Sequence, residues 1–194
     1  MKTAATVIAV AVAGLFPVAA SAQTVGSEVQ RDVNQQQRIK GLKSGSLNTR
    51  EASQLERGEA RIERMESNAA KDGTLSPAEK ARIQRAQNQE SREINRLENN
   101  AARGNPNSAS SQRMQADVQR NVNQQQRIEQ GIQSGQLTNR EAGKLERGQA
   151  RVDRAEARAG ADGRVGPNEQ RRIQKAENRQ SKRIYREKHD AQTR

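Results

Sequence analysis

The chain has no cysteine and no tryptophan, and one each of histidine, tyrosine and phenylalanine among 194 residues. Each shortage closes a class of function. Without cysteine there is no disulfide framework, no thiolate metal site and no cysteine nucleophile. A lone histidine, His189, provides no His-rich metal spacing and no acid–base cluster. Neither a nucleophile elbow nor a phosphate-cradling loop occurs either, so an enzyme is not expected. Tyr185 and Phe16 are the only aromatic residues, so no platform exists on which single-stranded nucleic acid could stack its bases. Apolar side chains are scarce as well. Residues 29–101 contain only 12 of Val, Ile, Leu and Met, which is too few for a thick core.

The one long apolar stretch is at the start. Met1-Lys2 precedes an apolar run from Ala4 to Ala20 that ends Ala20-Ser21-Ala22. A basic start, a short apolar core and an Ala-x-Ala site read as a secretory signal over residues 1–22. Cleavage after Ala22 is expected to leave 172 residues, in the bacterial periplasm or outside the cell.

What the chain has in abundance is charge: 35 Lys and Arg against 23 Asp and Glu, a net of +12. Glu, Gln, Arg, Lys and Ala dominate, and all favour helices. A frame of Gly, any residue, an apolar residue, three further residues and Glu occurs four times: Gly45 to Glu51, Gly73 to Glu79, Gly135 to Glu141 and Gly163 to Glu169. Each copy reads as a helix stop followed by a helix start. The Gly can adopt the positive φ that ends a helix. Asn48, Ser76 or Thr138 then caps the next one, and the Glu three places on completes a capping box. Pro77 and Pro167 fall at the first helical position, where a missing N–H costs nothing. Gly166 replaces the capping side chain in the fourth copy.

The chain also repeats itself. Val29 to Ile39 returns as Val118 to Ile128, offset by 89 residues, whereas Leu55 to Arg61 returns as Leu145 to Arg151, offset by 90. One residue is therefore inserted near Gln130. Residues 102–116, with Gly104, Pro106 and several Ser and Asn, read as the linker. The expected fold class is all-α: two homologous three-helix repeats with short capped turns, thinly packed and joined by a flexible linker. The first repeat occupies 23–101, with helices near 28–43, 49–70 and 77–101. The second occupies 117–192, with helices near 117–133, 139–160 and 167–190. Residues 29–101 carry a net +3 and residues 118–191 a net +7, so the excess charge lies mainly in the second copy.

On each middle helix the apolar residues form a narrow stripe: Leu55, Gly58, Ile62, Met65 and Ala69, then Leu145, Gly148, Val152, Ala155 and Ala159. Glu56, Glu59, Glu63 and Glu66 form an acidic stripe on one flank. Arg50, Arg57, Arg61 and Arg64 form a basic one on the other, matched by Arg147, Arg151, Arg154 and Arg158. These carboxylates are expected to face solvent beside their arginines; a charged seam that orients helix against helix is the alternative.

Two resemblances carry functional implications. The Gly, apolar residue, helix start and Glu of each frame resemble the second half of an EF-hand loop, and the copy from Asn68 to Glu79 is the fullest. That resemblance implies weak Ca²⁺ binding through Asn68, Asp72, the Thr74 carbonyl, Ser76 and Glu79, with Ala70 standing where a further ligand would be. No other cofactor is expected. The starts Leu47-Asn-Thr-Arg-Glu51, Leu75-Ser-Pro-Ala-Glu79 and Leu137-Thr-Asn-Arg-Glu141 are similar to helix starts of the Spy/CpxP family, which implies a periplasmic stress chaperone. Bulk charge points to a third role, binding of anionic envelope polymers or lipids. The expected surface is Arg171, Arg172, Lys175, Arg179, Lys182, Arg183, Arg186 and Lys188 on the last helix. Self-association through helices is a further expected contact, whereas sequence-specific nucleic-acid readout is not expected.

Overall fold

The computed structural model describes residues 25–191, with the side chains of 25–30 and 32 excepted. The expected signal at 1–22 lies outside the described residues. The architecture is all-α: α1 (Val25–Ser44), α2 (Thr49–Ala69), α3 (Pro77–Glu98), α4 (Ala109–Gln133), α5 (Asn139–Ala159) and α6 (Pro167–Glu187), with a single 3₁₀ turn at Ala70–Asp72.

The turns are built by the capping chemistry of the four frames. Gly45, Gly73, Gly135 and Gly163 all have positive φ, between 75° and 92°. Asn48, Ser76 and Thr138 accept from the backbone N–H of Glu51, Glu79 and Glu141, and those glutamates bond back to the cap. At Gly166 only half of the box survives: its N–H donates to Glu169 Oε2 at 2.8 Å. Each frame's apolar residue reaches into the core, fully for Leu47, Leu137 and Val165 and partly for Leu75. α4 begins at Ala109, inside the segment expected to link the repeats, because Ser108 caps it. Before it, the Gly104 N–H donates to the Gly45 carbonyl at 2.8 Å, which seats the connection on the first turn.

α2 and α5 are the most closely packed pair and run antiparallel. Arg50 donates to the Asp162 carbonyl at one end, and Asn139 donates to the Gly73 carbonyl at the other. The arrangement has approximate two-fold symmetry: the start of each middle helix meets the turn that ends the other. The main apolar cluster draws on both copies, with Ile39, Leu42, Leu47, Leu55, Ile94 and Leu97 from the first and Met114, Val118, Val122, Val165 and Ile173 from the second. Gly58 and Gly148 permit the close approach of α3 and α6, since a Cβ there would meet the side chain of Glu90 or Gln180.

One consequence of the inserted residue is structural. In space, α1 and α4 superpose at an offset of 90 residues throughout. The Leu47 N–H bonds to the Gly41 carbonyl at 3.0 Å and Leu137 to Gly131 at 2.9 Å. Asn34 donates to the Gln87 carbonyl and Gln124 to that of Glu177, both at 3.1 Å. The sequence block from Val29 matches the block from Val118 at 89, so the two copies of that block are turned by about 100° relative to each other. In α4 the valines Val118 and Val122 point inward, and Arg120 and Arg127 are half-exposed. In α1 the turn reverses this: Arg31 and Arg38 are buried and Val33 is exposed.

Candidate functional site: an acidic seam inside and an arginine groove outside

The expectation that the middle-helix carboxylates face solvent is overturned. Glu56, Glu59 and Glu63 of α2 and Glu146, Asp153 and Glu156 of α5 are buried, and Glu66 nearly so. The reason lies in the pairing. Antiparallel α2 and α5 turn their acidic stripes toward each other beneath α1 and α4, so the basic stripes are left on the opposite, open side. The charged seam read as the alternative is closer to what forms, but it joins acid to acid.

Two guanidiniums enter this seam. Arg38 lies 3.1 Å from Glu56 and 3.7 Å from Glu59. Arg31 pairs with Glu66 and stands 3.6–3.9 Å from Glu59, Glu129 and Glu146. Burial opposes their charge, yet the surrounding carboxylates hold both protons more tightly than usual. The acids outnumber them. Burial first, then mutual repulsion, pushes Glu63, Asp153 and Glu156 well above the ordinary carboxylate range. Burial likewise takes Glu66 to about 8 despite Arg31. Outside the seam, burial raises Glu90 to about 8, Asp117 to about 7 and Glu177 to about 8.

The outer face of the same helix pair is the inverse. Arg57, Arg61 and Arg64 from α2 and Arg151, Arg154 and Arg158 from α5 line one groove, with Ala157 at its floor. Among the described residues, none of the six forms an ion pair. Several are held in place by their own helix: Arg64 donates to the Ala60 carbonyl, Arg154 to that of Ala150 and Arg158 to that of Arg154. Burial first, then the guanidiniums of Arg64, Arg158 and Arg151, lowers the proton affinity of Arg154, and Asp153 only partly offsets them.

The surface expected on α6 is also basic. Arg171, Arg172, Lys175, Arg179, Lys182 and Arg186 are exposed, and Arg183 and Lys188 are half-exposed. In the loop expected to hold calcium, Asn68, Asp72, Thr74 and Ser76 are exposed and Glu79 is half-buried. Asp72 accepts from the Thr74 N–H and hydroxyl, and Glu79 accepts from the Ser76 N–H and hydroxyl. These bonds lower both carboxyl pKa values. The two carboxylates thus act in the turn and the cap. Among the described residues the large exposed hydrophobics are Val33 and Tyr185 alone, so the described surface has no broad apolar face.

The groove is the feature that sequence reasoning missed. Its arginines were visible as two separate stripes, but only the antiparallel crossing of α2 over α5 brings them together. Comparison with protein families, curated proteins and solved structures gives no match for the chain.

Proposed function

We propose that the protein binds a linear polyanion of the bacterial envelope, such as a phosphate- or sulfate-bearing polysaccharide, along the α2–α5 arginine groove. It does so without enzymatic chemistry. The observation that carries this reading is the convergence of six arginines that have no carboxylate among them. Guanidiniums present flat, bidentate donor edges suited to phosphate, sulfate and carboxylate groups. Bringing six together raises their mutual repulsion, and an anionic chain laid along the groove relieves it. Charge segregation strengthens the effect over the whole surface. Among the described residues twelve acidic side chains are buried but only two basic ones, so the accessible surface is more positive than the net +12 of the sequence. The basic face of α6 extends the attraction as a second, more diffuse contact. Export, read from residues 1–22, is part of the same proposal and sets the class of polyanion.

The test is retention on heparin, or titration with dextran sulfate, across a salt series. Polyanion binding should weaken linearly in log–log form with salt, with a slope of about −0.7 to −0.9 per anionic group contacted. The triple variant Arg57→Gln, Arg61→Gln, Arg154→Gln should lose about 10–100-fold in affinity at low salt. The triple variant Arg171→Gln, Lys175→Gln, Arg179→Gln should lose less. A groove variant that binds as tightly as the parent refutes the assignment, as does salt-independent binding.

A further inference from the structure

We propose that Glu56, Asp153, Glu156 and Asn121 form an internal site for one hard divalent cation, of the calcium or manganese kind, where α2, α4 and α5 meet. The inference concerns the interior and is independent of the arginine groove.

The geometry is compact. One oxygen from each of Glu56, Asp153 and Glu156 lies within 4.8 Å of the others, and all three residues are buried. That spread matches the separation of ligands across an ion with oxygen bonds of about 2.1–2.6 Å. Arg38 takes one arm of Glu56. No such partner reaches Glu156: the charges acting on it are those of Glu56, Asp153, Asp117 and Glu177, all carboxylates.

A neutral donor is aimed into the same place. The Asn121 amide lies 3.1 Å from Asp153 Oδ1 and 2.8 Å from Glu156 Oε2. It is 5 % exposed, and its carbonyl oxygen has no hydrogen-bond partner. Half a turn of the amide exchanges Nδ2 for Oδ1 and presents that oxygen to a cation between the two carboxylates. Glu63, 2 % exposed, also hydrogen-bonds Asp153 and keeps an unpartnered oxygen.

The other half of the molecule holds an internal comparison. Under the two-fold relation Glu56, Asp153, Glu156 and Asn121 correspond to Glu146, Glu63, Glu66 and Arg31. At that related position the Arg31 guanidinium stands among Glu66, Glu146, Glu59 and Glu129. One cage of carboxylates therefore carries a guanidinium at this position; its twin has an asparagine there, and its own guanidinium, Arg38, is ion-paired with Glu56 alone among the three carboxylates. The donor set, three carboxylates and an amide carbonyl with no nitrogen or sulfur, selects a hard ion. Burial of all four residues away from solvent favours calcium or manganese over magnesium, which keeps several of its waters.

The experiment uses the chelator-stripped mature chain at neutral pH, titrated with CaCl₂ and MnCl₂ and followed by thermal unfolding and calorimetry. One ion should bind per chain and Tm should rise by about 5–10 °C near 100-fold saturation. Asn121→Arg should reproduce the Arg31 arrangement, raising Tm in chelator and abolishing the response to metal. Glu156→Gln, which removes charge at constant volume, should also lose the response and decides the matter if Asn121→Arg does not fold. Glu79→Gln should respond as the parent does. The proposal is overturned if the folded parent shows no binding. It is equally overturned if the response persists in Glu156→Gln or disappears in Glu79→Gln, which would place the ion in the Asn68–Glu79 loop.

Discussion

The buried carboxylates outside the seam make a strong prediction about pH. Glu90, Asp117 and Glu177 are 7 %, 2 % and 0 % exposed, and burial raises them to about 8, 7 and 8 from ordinary values of 4.5, 3.8 and 4.5. The Arg120 guanidinium, 2.9 Å from Glu177, only partly offsets that burial. Each folded pKa lies above the unfolded one, so the native state retains a proton that the unfolded chain releases. The resulting stability is fully present below about pH 4 and is lost as pH rises through the folded values near 7–8. Each group contributes a slope of up to ~1.4 kcal/mol per pH unit within that window. A single glutamate carried from 4.5 to about 8 accounts for ~4–5 kcal/mol, a large share of the 5–15 kcal/mol typical of a domain. Asp72, which is exposed, and Glu79 and Glu93, which are half-exposed, are shifted downward by hydrogen bonds and act in the opposite sense; in contact with solvent, they are too screened to reverse the trend. Urea unfolding followed by far-UV circular dichroism in chelator, from pH 4.5 to 8, should show the midpoint falling steadily. Glu177→Gln should flatten the curve and stabilise the protein at pH 8. A midpoint that is constant or rises with pH refutes the reasoning, because the carboxylates would then be ionised in the native state at no cost.

Further predictions concern the fold. Gly148→Ala drives a Cβ into the buried Gln180 side chain, which bonds the Leu145 carbonyl; urea unfolding should show a loss of about 1–3 kcal/mol despite the better helix propensity of alanine. Thr138→Ala removes a cap and should cost about 1 kcal/mol in the same assay, whereas Gly166→Ser supplies the missing hydroxyl and should add a few tenths. Inserting a Gln between Lys40 and Gly41 copies the extra residue of α4 and should turn the front of α1 by about 100°, withdrawing Arg31 and Arg38 from the seam. Stability at pH 8 should then drop by about 3–5 kcal/mol, and by less at pH 4.5, where Glu63, Glu66, Asp153 and Glu156 keep their protons.

The helix boundaries were legible because each joint is written in local chemistry. Gly73, Ser76, Pro77 and Glu79 have backbone jobs that hold whatever packs around them, and the same is true of Gly135, Thr138 and Glu141. The start of α4 was missed since a lone Ser108, without the following glutamate, is a weaker signal than a capping box. The burial of the acidic stripe was not legible for a different reason. An amphipathic helix shows that one face differs from another, but Glu56 and Arg57 are equally polar, and which of them goes inside depends on a partner helix almost one hundred residues away. Ordinary burial preference argues against Glu inside, so the intuition fails where the structure spends its stability.

Both candidate sites follow from one rotation. Helices α2 and α5 each carry acid on one flank and arginine on the other, and a two-fold antiparallel crossing can bring together only like flanks. Turning acid inward gathers Glu63, Asp153 and Glu156 in a seam with too few guanidiniums, and the same turn gathers Arg61, Arg64, Arg151 and Arg154 on a groove without carboxylates. Across the helix pair the charge of Asp153 reaches Arg154 but only partly offsets the burial and the neighbouring guanidiniums that act on it. An interior excess of negative charge is answered by protons or a small cation, the only species that fit a buried cage. An exterior excess of positive charge is answered by a ligand too large and too hydrated to enter. The insertion near Gln130 then separates the two halves of the seam. Because α1 and α4 must keep Gly41 and Gly131 against Leu47 and Leu137, the extra residue rotates everything before it, giving one cage Arg31 and the other Asn121. Within a chain that otherwise repeats its own sequence, that single residue decides which cage has a guanidinium among its carboxylates and which has an asparagine there, with only Arg38 on its Glu56 edge.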